Sequence, residues 1–152
     1  MRRPPLNRGL AANTISRVRF RDLLQSEFDR RRSGNRRYSL RAFSRSLAID
    51  HSALSQMLRG RRRITARNVR ALGPRLRLGD AEIAEQCALE HEAAVLATLR
   101  RPGFRADSRC VAAVAGIPLD QVNIALQRML RKRTITMSAR ATWARVDEEQ
   151  RG

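Results

Sequence analysis

Lysine, acidic residues, aromatic rings, cysteine and long apolar runs are all scarce in this 152-residue chain, and each shortage excludes something. Aromatic residues make up 4% (one Trp, one Tyr, four Phe), too few for a large sandwich core or for rows of rings that stack single-stranded bases. Cys87 and Cys110 lie far apart without a Cys-x-x-Cys pair, and with two histidines they do not complete a metal site at the usual spacing. Both thiols read as small buried hydrophobes, and neither a metal nor a cofactor is implied. No apolar run approaches the ~20 residues of a membrane span, and the N-terminus lacks a signal peptide's hydrophobic core. A soluble, cytoplasmic chain is therefore expected. Acids number 14 against 32 bases, which leaves a formal charge of +18.

The excess is almost all arginine, because Lys132 is the single lysine and the other 31 bases are arginines. Guanidinium groups suit bidentate contacts to phosphate and to base edges. A GC-rich genome explains arginine in place of lysine equally well, but not the shortage of acids. A polyanion partner explains both. The 42% hydrophobic content is mostly Leu, Val, Ile and Ala, which favours a mainly α fold of one domain or two small ones.

Residues 1–13 combine Arg, Pro and Gly without periodicity and read as a disordered basic arm. From Thr14 the steps Ile15, Val18, Phe20, Leu23, Leu24, Phe28 predict a first helix, stopped by Ser33-Gly34-Asn35. Ser39 caps a second helix that runs to about Leu47, and Asp50 caps a third that Gly60 ends. Thr65 caps a fourth, interrupted at Gly73-Pro74. A fifth, residues 80–100, carries Asp80, Glu82, Glu85, Glu90 and Glu92 against an apolar face. After Arg101-Pro102-Gly103 come short helix 107–115, the turn Gly116-Ile117-Pro118, longer helix 119–131, and two β-leaning runs, Thr134–Met137 and Thr142–Val146. Two helices and a hairpin suggest a winged helix. The expected architecture is thus a five-helix bundle with a helix-turn-helix, then a small winged-helix unit: arm 1–13, DNA-binding domain 14–79, connecting helix and winged-helix-like domain 80–146, tail 147–152.

Residues 38–62, YSLRAFSRSLAIDHSALSQMLRGRR, meet the physical requirement of a helix-turn-helix. Phe43, Leu47, Ile49, Leu54 and Met57 lock two short helices together and leave the outer face of the second free for a major groove. This stretch resembles the phage-repressor/Cro-like helix-turn-helix family, and the likeness extends loosely over residues 14–100. Ser44 stands where that family commonly has Ala, and Ala48 where it has Gly. Leu40 replaces a Gln that clamps phosphate in many members, so that contact is expected to be missing. Position by position, the resemblance implies that His51, Ser52, Ser55 and Gln56 face bases. Ser39, Arg41, Arg45, Arg59, Arg61, Arg62 and Arg63 would then face phosphates. Chemistry agrees in part, since Gln bonds adenine N6 and N7 together whereas Ser and His select less.

From Arg30 to Arg77 the chain holds fifteen arginines and one acid, Asp50. In the second unit Gln121, Arg128, Arg131 and Arg140 are further candidates for DNA, though a winged helix serves equally for dimerisation or docking. The first expectation is a transcriptional regulator binding duplex DNA as a homodimer, with half-sites ~34 Å apart. The alternative is a protein docking on RNA polymerase or another regulator, motivated by the acidic stripe from Asp80 to Glu92. RNA binding is a third possibility that the shortage of rings disfavours. No paired carboxylates near a His, facing nucleophile and base, or glycine-rich phosphate loop suggests an enzyme.

Overall fold

The structure, a computed structural model, describes residues 18–104 and 107–137 together with the backbone of residues 143–145. The expected arm and tail, residues 14–17 of the first helix, the hairpin's connecting residues and Arg140 lie outside the described residues. The fold is mainly helical with almost no sheet. Among the described residues no single helix is long and apolar enough to cross a membrane. Contacts divide the chain into two compact units, the first ending at Gln86 and the second beginning at Cys87.

In the first unit, α1 spans Phe20–Gly34. It does not run through from Thr14 as the apolar spacing predicts, because Arg19 is extended (φ −72°, ψ 150°) and its N–H donates to the Asp22 carboxylate at 3.3 Å. Val18 belongs to the approach, where its carbonyl accepts from Gln86 Nε2 at 2.9 Å. Helix α2 is Leu40–Leu47, with Ser39 Oγ accepting from the Ala42 N–H. Helix α3 is His51–Leu58, and Asp50 Oδ1 accepts from the Ala53 N–H. Helix α4, Ala66–Leu72, opens with a reciprocal cap in which Thr65 Oγ1 accepts from the Asn68 N–H and Asn68 Oδ1 from the Thr65 N–H. These side chains satisfy helix-start N–H groups that otherwise lack partners.

Phe20, Leu24, Phe43, Leu47, Leu54, Met57, Ile64, Val69 and Leu72 form the buried interior of this unit. Each such side chain withdrawn from water contributes about 1.5–3 kcal/mol. Gly73 ends α4 where a Cβ would come within 2.7 Å of Ile83 and 2.8 Å of the Val69 carbonyl, so only glycine permits this approach. Pro74–Leu76 then forms a 3₁₀ turn, which realises the interruption expected at Gly73-Pro74.

Helix α5, Asp80–Leu99, contains the boundary between the units. The second unit continues with α6 (Ser108–Ala115) and α7 (Leu119–Arg131), bent from one another by 111° at a turn where Gly116 has φ 66°. Strands β1 (Ile135–Met137) and β2 (Trp143–Arg145) pair antiparallel, Thr136 opposite Ala144. Ala94, Val95, Val111, Ile117, Val122, Ala125, Leu126, Met129 and Ile135 make the core of this unit. Beside it the buried carboxylate of Glu92 accepts from Arg128 Nε at 2.6 Å and from Lys132 Nζ at 3.2 Å.

Candidate nucleic-acid interface

The chain turns sharply between α2 and α3, and particular residues force it. Ala48 takes the left-handed conformation (φ 50°, ψ 44°), and the Ala48 and Ile49 N–H groups fold back on the carbonyls of Arg45 and Ser44, both at 3.1 Å. Asp50 is extended (φ −61°, ψ 137°) and restarts the helix as its cap. The turn therefore keeps its left-handed step although it has alanine there instead of glycine. Ser44 is buried, and its hydroxyl is satisfied by donating to the Arg41 carbonyl at 2.9 Å.

Helical geometry then sorts α3 into two faces. At 3.6 residues per turn, positions 53, 54 and 57 point one way, and positions 51, 52, 55, 56 and 59 the other. Ala53, Leu54 and Met57 are buried, whereas His51, Ser52, Gln56 and Arg59 are exposed and Ser55 is half-buried. A protruding imidazole, hydroxyl and carboxamide on one short helix offer both donors and acceptors.

Past the helix, Gly60 has φ 72°, and the N–H groups of Arg61 and Arg62 both donate to the Gln56 carbonyl, at 2.9 and 3.1 Å. These bonds hold the basic segment against the end of α3. Arg59, Arg61, Arg62 and Arg63 are all exposed, as are Ser39, Arg41 and Arg45 around α2. A residue that the sequence reading missed joins them: a Cβ at Gly60 would lie 3.1 Å from Arg21 Nη1, so the α1 guanidinium rests against this glycine. Thirty-nine positions separate the two residues, and no local pattern signals their contact.

Of the fifteen arginines from Arg30 to Arg77, all but Arg30 and Arg31 are free of the Glu27 ion pairs, and those thirteen are exposed. Asp50, the one acid in this stretch, uses its carboxylate as the α3 cap. Residues 1–86 hold 21 basic and 7 acidic residues, a net +14, against 11 and 7, a net +4, in residues 87–152. Positive charge is thus concentrated in the unit that carries α2 and α3.

In the second unit Gln121 is half-buried and donates to Asp120 Oδ2 at 3.1 Å. Arg128 is ion-paired with Glu92, and Arg131 is exposed. The acidic stripe of α5 is largely used internally: Glu82 accepts from the Gly79 N–H at 2.7 Å, and Glu90 and Glu92 are each only 8% exposed. Among the described residues no three His, Cys, Asp or Glu side chains gather into a metal site. No family model matches this chain, and comparison with curated proteins and with solved structures also gives no match.

Proposed function

We propose that this chain is a sequence-specific transcriptional regulator that binds double-stranded DNA, with α2, the Ala48–Asp50 turn and α3 acting as a phage-repressor-like helix-turn-helix. Helix α3 enters the major groove, where Gln56 pairs with adenine N6 and N7 while His51 and Ser52 contact neighbouring base edges. Arg59, Arg61, Arg62 and Arg63, joined by Arg21, Arg41 and Arg45, grip the flanking phosphates. One short helix reads few base pairs, so two copies occupy two half-sites. In this reading the first unit is a five-helix DNA-binding bundle, and α6, α7 and the β1–β2 pair form a winged-helix-like unit.

The observation that carries the proposal is the face of α3 opposite Leu54 and Met57, where three exposed polar side chains stand next to a run of exposed arginines. A merely solvated face explains the polar residues, but not a net +14 confined to the same unit. Selection of bound duplexes from a random pool, followed by footprinting, tests it. A recurrent motif with a protected site of two half-sites is expected. A pool that returns no enriched sequence, at an affinity blind to sequence, contradicts base reading.

A further inference from the structure

Helix α7 has an outer stripe with an unusual internal symmetry. Its buried side is Val122, Ala125, Leu126 and Met129, and its opposite side exposes Asp120, Ile124, Gln127 and Arg131. Those four recur at steps of four, three and four, so they line one face of the helix. Ile124, 48% exposed, sits at the centre of this stripe, between an acid at one end and a base at the other.

We propose that this stripe is a self-association surface, on which α7 packs antiparallel against α7 of a second copy of the chain. The pairing follows from position along the helix. A two-fold axis midway between residues 125 and 126 sets Asp120 opposite Arg131 of the partner subunit, and Ile124 opposite Gln127 of the partner subunit. The same axis repeats both contacts in reverse, as an isologous interface requires. Opposite charges therefore meet at both ends and the two isoleucines flank the centre. The two helix dipoles run antiparallel, which sets each positive N-terminus beside the negative C-terminus of the other helix and adds to the attraction. A copy meeting the first unit would face a net +14 on either side, whereas the second unit carries +4, so like-charge repulsion also directs association to α7.

A seam along a 13-residue helix is ~20 Å long, well below a standard interface, so the dimer is weak on its own. The interface does not depend on the DNA-binding reading, because it forms without nucleic acid.

Sedimentation equilibrium of the full chain in the absence of DNA tests it with Asp120→Arg and Arg131→Asp. Each variant alone sets like charges opposite at both ends of the seam, and is expected to weaken the dimer about tenfold or more. An equimolar mixture restores opposite charges at both ends, and is expected to return a heterodimer as tight as the wild-type dimer. Asp120→Asn and Arg131→Gln, which leave the helix-end charges milder, are expected to weaken it about threefold with unchanged helix content by circular dichroism. The inference is overturned if the wild-type chain stays monomeric to about 1 mM, or if the mixture associates no better than its components. It is equally overturned if Arg131→Asp lowers DNA affinity per protomer while sedimentation stays as in wild type, since the stripe would then serve DNA.

Discussion

Ala48 is the residue on which the orientation of α3 turns, and it adopts φ 50° with a Cβ that crowds its own backbone. Left-handed backbone costs a non-glycine residue about 1 kcal/mol or more, and glycine gives part of that back as extra freedom in the unfolded chain. Ala48→Gly is therefore expected to stabilise the protein by about 0.5–1 kcal/mol, read as a higher thermal midpoint, with DNA affinity unchanged. A lower midpoint would mean that the turn does not carry this strain. The sequence already pointed to a turn here, because Ser39 and Asp50 are strong caps bracketing one short apolar repeat. It also pointed to Ala48 as the awkward position, but not to how the chain answers. That answer lies in the two backbone bonds that the Ala48 and Ile49 N–H groups make to the Arg45 and Ser44 carbonyls.

Between elements, α1 and α2 are held by a brace centred on Arg31. Its Nη1 donates to Tyr38 Oη at 3.0 Å and to Ser46 Oγ at 2.7 Å, and its guanidinium carbon lies 5.2 Å from the centre of the Phe43 ring. Phe43 in turn stacks on Phe28 at 5.4 Å. Glu27 steers the brace by accepting from Arg31 Nε at 2.7 Å while taking two bonds from Arg30. The Arg30 hydrogen bond, helped by Arg31 and opposed by partial burial, holds the Glu27 carboxyl below the usual carboxylate range. Because the folded value is the lower one, this contribution is fully present above the ordinary carboxylate range and is lost as pH falls through the lowered value. Glu27→Gln is expected to cost about 1 kcal/mol at pH 7, in urea titration, with the gap to wild type closing in acid. A gap that persists undiminished at pH 3 would assign the loss to packing alone. Of this layer only the caps and the apolar periodicity were legible in the sequence. Side chains fifteen positions apart, Arg31 and Ser46, meet through tertiary packing, and the extended Arg19 makes α1 start later than the apolar spacing indicates.

Across the whole molecule, positive charge is concentrated in the first unit, a net +14 against +4 in the second. The exposed polar face of α3 was readable in advance, because helical geometry separates residues 51, 52 and 56 from 53, 54 and 57. The second-unit set was not, since the partner of Arg128 is Glu92, 36 positions away. If the exposed arginines around α3 grip phosphate, Arg62→Ala weakens binding to all duplexes alike and flattens the slope of log affinity against log salt by about one unit. The most direct test of the account is to compare wild type and Gln56→Ala on one library of duplexes that vary in the bound site. The account predicts a loss of about 1–3 kcal/mol on the preferred site and a relaxed preference at one base pair. A ranking of sequences that Gln56→Ala leaves unchanged would contradict it.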